Sequence, residues 1–537
     1  MRPTLLIAVL ALAVHPNLFS QDQPSPQSTL GQLEADLRFL SSDLLEGREA
    51  GTRGYDLAAL YVAQRFRALG LMPGGDEATY YQAVPMLEYA PGSNSSLHID
   101  GVELLAGEDY LVLPSSKREF VDVHAPLVFG GMCFSSEREG RDDFMGLDLK
   151  GKIAACMWDA PKYLNSEERA HYRSTQMDRI SDNGGIGQII VYTSSMEEVF
   201  PFEKYKHMLN ASYSRMTWLK RGGTPFSSAP NLEVRVVLSL AGAQKLFESR
   251  GLSWDGILKD AESDRGEVER LDLGVEAHIT MQSVHRRLSS DNVVGILPGS
   301  DKALAGEYVV LTAHLDHLGI KLTEEQGDDE IYNGAMDNAS GISAMLEVAR
   351  QLAKAPPRRS VIFIALTAEE KGLNGSDYFA RKPTVPSNSL VAVVNLDMPI
   401  LTYPFTDLIA FGVERSTLYE SIKSAADAHG LALSPDPMPD EGFFTRSDHY
   451  SFVKQGVPAV ELGPGFESGG EQAQSEFLKT HYHEASDEVS LVDFAALQKF
   501  TDVKTTIARN IANMPERPVW NAGDFFGETF GGSMASD

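Results

Sequence analysis

SVIFIALTAEEKG, Ser360 to Gly372, opens as an unbroken apolar run and closes on two adjacent glutamates. SVIFIAL has the length and branched-aliphatic character of a strand buried on both faces. Two further runs share that texture, EYVVLTA (307–313) and LVAVVNL (390–396). Between the first two strands lies SGISAMLEVARQLAKAPP (340–357). Ile342, Met345, Leu346, Ala349, Leu352 and Ala353 mark one helical face there, Asn338 or Ser340 can cap it, and Pro356–Pro357 stops it. Strands apolar on both faces that alternate with helices imply an α/β domain built on a mostly parallel central sheet.

Adjacent carboxylates raise each other's pKa unless positive charge or solvent compensates them. In sheets of this kind ligands collect beyond the carboxyl ends of the strands, so the residues following each strand carry the chemistry. EYVVLTA is followed by His314, Asp316 and His317, and NGAMDNASG sets Asp337 just before the helix. SVIFIAL leads to Glu369 and Glu370, and LVAVVNL to Asp397. HYHEASDEV adds His481, His483, Glu484 and Asp487. A lone His or Asp at a strand end is usually a cap or a surface residue. Several on one edge, mixing imidazole with carboxylate, are a donor set that zinc accepts; an all-carboxylate set would point to magnesium or calcium.

The chain has 537 residues, 43% hydrophobic and 23% charged, which implies two or three globular domains. A formal net charge of −28 repels phosphate backbones and argues against a nucleic-acid partner. Leu5 to Val14 is an apolar core too short to span a bilayer and fits a secretory signal ending near Ser20, so export without stable membrane insertion is expected. Cys133 and Cys156 could pair in an oxidising compartment or remain buried thiols, and neither lies in a CxxC. GLDLKGKI mimics a phosphate-binding loop, but Ile153 stands where a magnesium-binding hydroxyl belongs. Four Asn-X-Ser sequons, Asn338-Ala-Ser among them, read as chance occurrences.

The expected organisation is a signal peptide at 1–20, an N-terminal part of the main domain at 21–105 and a β-rich insertion at 106–282. The main domain then continues over 283–514, with a Gly- and aromatic-rich tail at 515–537. In the first part, Thr52 can cap a helix whose apolar face is Ala59, Val62, Phe66 and Leu69. The acidic loop Glu324 to Glu330 reads as solvated, though it could draw in a substrate's ammonium group.

AHLDHLG, NGAMDNASG, TAEEKGLNGS, NLDM, SDHYSF and YHEASD, together with LSSDLLEGREAG, resemble the co-catalytic two-zinc aminopeptidases. These are the leucyl aminopeptidase, aminopeptidase Y and glutamate carboxypeptidase group. The resemblance implies a three-layer α/β/α zinc-exopeptidase domain and two zinc ions per chain. His314 and Asp397 would hold one ion, Glu370 and His483 the other, and Asp337 would bridge them. Glu369 would be the general base, carrying a proton from the attacking water to the leaving amine. Asp316 would orient the His314 imidazole. Tyr482 is a candidate for the oxyanion, and His449 a candidate substrate contact. His317 and His481 have no ligand place and read as structural or outer-sphere groups. APLVFGG with LDLKGKIAAC resembles an inserted protease-associated domain bordering the cleft.

The function implied is an exported aminopeptidase acting on peptides. The alternatives are a carboxypeptidase or dipeptidase of the glutamate-carboxypeptidase kind and a non-catalytic, receptor-like relative. Side-chain preference and oligomeric state are left unassigned.

Overall fold

The computed structural model describes residues 29–208, 214–321 and 329–536. The expected signal segment, and all of the acidic loop except Asp329 and Glu330, lie outside them. Six strands frame the site: β1 (Tyr81–Pro91), β2 (Leu271–Leu297), β3 (Tyr308–His314), β4 (Ser360–Leu366), β5 (Leu390–Asn395) and β6 (Ala459–Pro464). Four of them, in the order β4–β3–β5–β6, pair in parallel, with Thr312 between Ile364 and Asn395, and Asn395 beside Glu461. Antiparallel β2 closes one side of this group and carries β1 beyond it.

The helices α1 (Thr29–Leu40), α2 (Arg53–Ala68), α3 (Gly341–Ala353) and α4 (Phe494–Asn513) bury their apolar faces against one side of the sheet. Phe379 and Phe452, from the helices Asn374–Arg381 and His449–Val453, pack on the other side. The expected three layers are present. Thr52 caps α2 by accepting the Tyr55 N–H. At α3 the cap is Asn338, whose side-chain oxygen accepts the Gly341 N–H while Ser340 caps nothing. Asn338 is fully buried, which leaves no room for a glycan.

The insertion forms a second sheet on the same long strand. From β2 it continues through Phe120–Phe129, Ile153–Met157, Gly187–Val191 and Val234–Leu238 to Tyr110–Val112. β2 runs unbroken across residue 282: Leu273, Val275, Ala277, Ile279 and Met281 alternate into the second core, and Val293 and Val294 are buried on opposite faces of the first sheet. Ser96–Ile99 already pairs with the first half of β2, and Arg215–Trp218 returns to extend β1. The insertion is more helical than expected. Among the described residues six helices lie within it, including Ser166–Ser174, Leu240–Ser249 and Trp254–Ala261, capped by Asn165, Ser239 and Ser253. Helices of ten residues or fewer leave little periodicity to read, so the caps are their main sequence signal.

Cys133 and Cys156 are joined in a disulfide inside this unit. The tail passes back over both units. Trp520 is fully buried and donates Nε1–H to the Gly456 carbonyl at 2.9 Å. Phe525 and Phe526 pack around His171 of the insertion, and Arg415 bridges Glu167 and Asp524. Among the described residues, no helix is long and apolar enough to cross a membrane.

Candidate metal centre

The carboxyl ends of β3, β4 and β5 deliver their side chains to one point, as the strand register requires. Asp337 lies at the centre. Its Oδ1 is 3.1 Å from His314 Nε2, and its Oδ2 is 3.3 Å from His483 Nε2. His314 Nε2 also lies 2.9 Å from Asp397 Oδ1, and His483 Nε2 lies 3.2 Å from Glu370 Oε2. The five residues thus divide into two pairs that share one carboxylate. Ligand atoms of His314, Asp337 and Glu370 lie within 4.8 Å of one another, as a common cation needs.

The electrostatics fit a cation. Burial opposes charge on His314, but Asp397 and Asp337 outweigh it and raise its pKa well above the ordinary value. Burial likewise opposes charge on His483, and Glu370 with Asp337 raise it to about 10. Burial and Asp337 push Glu370 upward, yet His483 and the His317 hydrogen bond hold it at about 2. Without metal, protons on the imidazoles neutralise the carboxylates; a divalent cation would take their place. Two imidazoles and three carboxylates are donors that zinc accepts, so the residues present fit the group.

Glu369 stands beside this cluster and lines the adjoining cavity. Burial raises its pKa well above the usual range; His314 opposes the shift, and Asp397 and Glu370 add to it. Asp316 takes a different place from the one expected. His314 Nδ1 faces the Asp316 backbone carbonyl at 3.1 Å, and the Asp316 carboxylate accepts the N–H groups of Glu369 and Glu370 at 3.1 and 3.3 Å. A carboxylate two residues beyond a strand-end histidine can serve the imidazole or the neighbouring turn. Only the packing of β3 against β4 selects the second.

Asp397 is braced from below: Thr312 donates to Asn395, Asn395 to Ser447, and Ser447 to the Asp397 Oδ2. Asp487 is buried and accepts the N–H groups of Met336 and Asp337. His317 is fully buried, with Nδ1 2.7 Å from Glu370 Oε1. His481 bonds Ser486 away from the cluster. Tyr482 stacks on His483 with ring centroids 3.9 Å apart and lines the cavity.

His449 does not reach that cavity. It is fully buried between Phe444 and Glu461, so the substrate contact expected of it is ruled out by its position on the inner face of its helix. Arg48 was not singled out in sequence. It is 1% exposed, donates to the carbonyls of Leu315, Asn333 and Gly334, and lies close to Asp337, Asp487, Asp316 and Glu370. Burial lowers its pKa to about 10 and those carboxylates oppose the shift, so it stays cationic at neutral pH. Its only sequence signal is its place in LSSDLLEGREAG.

The cavity beside the cluster holds about 140 Å³, walled by Met398, Ile400, Ile409, Phe411 and Leu478. These side chains form an apolar wall, while Arg446, Ser447, Glu461 and Gln474 line the same cavity together with residues of the cluster.

A donor set of this kind at the carboxyl edge of a three-layer sheet is one that can hold divalent cations. Residues 292–508 match the model of Peptidase family M28. The chain is 28% identical to aminopeptidase Y of Saccharomyces cerevisiae, over 45% of its own length and 42% of that protein. It is 26% identical to aminopeptidase YwaD of Bacillus subtilis, over 43% and 46% of the two chains. The matches thus span less than half the length of these curated relatives. An aminopeptidase structure from Aneurinibacillus sp. strain AM-1 shares the fold over 91% of this chain and 95% of that one, with a TM-score of 0.50 and 20% identity.

Proposed function

We propose that the protein is an aminopeptidase in which two zinc ions are held by His314 with Asp397 and by Glu370 with His483, Asp337 serving both. The observation that carries this reading is the placement of the two Asp337 oxygens against two different imidazoles. When bound, a zinc pair supplies Lewis acidity toward the scissile carbonyl and makes water acidic enough to ionise near neutral pH. Glu369 accepts a proton from the attacking water and returns it to the leaving amine from its place beside the cluster, on the wall of the adjoining cavity. The Tyr482 hydroxyl donates to the developing oxyanion from beside His483. The apolar wall of the 140 Å³ cavity receives the side chain of the N-terminal residue. Export is supported by the Cys133–Cys156 disulfide, a bond that persists in oxidising compartments.

Glu369→Gln tests the base. Turnover of Leu-p-nitroanilide should fall about 10²- to 10⁴-fold, with two zinc ions per chain retained by elemental analysis. Unchanged turnover in that variant would remove Glu369 from the mechanism. Cleavage of N-acetylated peptides at the C-terminal residue, with free N-termini ignored, would replace the aminopeptidase with the carboxypeptidase reading.

A further inference from the structure

The cavity beside the metal cluster carries one carboxyl group that the mechanism does not use. Glu461 lines it from β6 and is only 9% exposed. The sheet register sets Glu461 beside Asn395, two residues before Asp397, and directly opposite Phe411 on the neighbouring strand Asp407–Phe411. Two residues of strand span roughly 6–7 Å, so Glu461 stands about that far below the cluster. The wall between is apolar, formed by Met398, Ile400, Ile409, Phe411 and Leu478.

Glu461 has no matching partner inside the protein. Its Oε2 is buried and accepts no hydrogen bond among the described residues, and no lysine or arginine among them forms an ion pair with it. His449 Nδ1 lies 3.2 Å from that oxygen, but burial lowers the His449 pKa to about 3, so the ring brings no charge. Lys504 of α4 acts on Glu461 from further away; its Nζ also lacks a hydrogen bond among the described residues, and burial pulls its pKa well down. Arg446 lines the same cavity with its guanidinium paired to Glu441 at 2.9 Å. A buried carboxyl left unpaired costs free energy that a ligand with a matching donor recovers.

From this we infer that Glu461 is a specificity-determining residue, which receives the charged end of a basic N-terminal side chain while its methylene stem lies along the apolar wall. The four-carbon stem of lysine covers apolar surface and carries its ammonium to the far end of such a wall. Leucine would cover part of the wall and leave the carboxyl unpaired. The inference rests on the aminopeptidase reading, which places the N-terminal side chain in this cavity.

The test compares kcat/KM for the p-nitroanilides of lysine, norleucine and leucine. Norleucine keeps the four-carbon stem and lacks the ammonium, so the lysine-to-norleucine ratio reads the charged end alone. In the wild type that ratio should be about 10- to 100-fold, the worth of a charge-assisted hydrogen bond. It should fall to about one in Glu461→Gln and below one in Glu461→Leu. A wild-type ratio near one or below overturns the inference without any variant, and so does a ratio that survives both substitutions. Cleavage of the leucine substrate with a flat ratio defeats only the role of Glu461. Cleavage of none of the three defeats the aminopeptidase reading and this inference with it.

Discussion

The Asp316 carboxylate accepts the backbone N–H of Glu369 at 3.1 Å, and the same group holds Glu370 through its second oxygen. One buried side chain therefore sets the turn that places the proposed base and a proposed metal ligand next to each other. Asp316→Asn replaces one acceptor oxygen with an N–H donor facing an N–H. It should lower kcat or zinc affinity about 10- to 100-fold, the usual cost of losing an outer-sphere partner. Parallel steady-state kinetics and zinc titration would separate the two effects, and an unchanged enzyme would show that the turn holds itself.

Arg48 is a buried cation amid Asp316, Asp337, Glu370 and Asp487. Arg48→Met keeps much of the side-chain length but leaves four carbonyls, of Leu40, Leu315, Asn333 and Gly334, without their donor and four carboxylates without their counter-charge. Breaking a buried charge set from one side costs about 3–5 kcal/mol. Chemical denaturation of the metal-free protein should register a loss of that order. Zinc should recover part of it by restoring positive charge at the same place.

Much of this was legible in sequence because it depends on local order. The parallel strands and α3 with its face follow from apolar runs, and His314, Glu370 and Asp397 come at or just after the strand ends; the full set of five donors, with Asp337 and His483, came from the resemblance of the surrounding motifs. Asp316 and Arg48 were misassigned or missed because their roles depend on contacts between segments far apart in the chain. His449 failed for a related reason: a five-residue helix shows no face in sequence, and packing turned this residue inward. β2 hid the join between the two units because one strand of 27 residues serves both sheets.

The Cys133–Cys156 bond closes a separation of 23 residues within the insertion. Chain-entropy arguments assign a loop of that size about 3 kcal/mol. Replacing both cysteines with serine should destabilise the insertion by roughly that amount. Differential scanning calorimetry should show an earlier transition, while zinc content stays at the wild-type value because no metal ligand lies in this unit.

His171 joins the insertion to the rest of the molecule. Its Nδ1 lies 2.6 Å from the Tyr450 hydroxyl, and Phe525, Phe526 and Phe530 of the tail surround its ring. Burial, reinforced by Arg179 and Lys454, lowers its pKa from 6.5 to about 3, so the folded protein keeps it neutral. The unfolded chain binds the extra proton between those two values, and stability must therefore fall as pH drops below 6.5. At pH 5 the deficit is 1.5 pH units, or about 2 kcal/mol at 1.36 kcal/mol per unit. His171→Asn retains a polar partner for Tyr450 and removes the titration. Its stability should be lower at pH 7 but change less between pH 7 and pH 5, as measured by urea unfolding followed through tryptophan fluorescence. An equal acid response in both proteins would assign the loss to other groups.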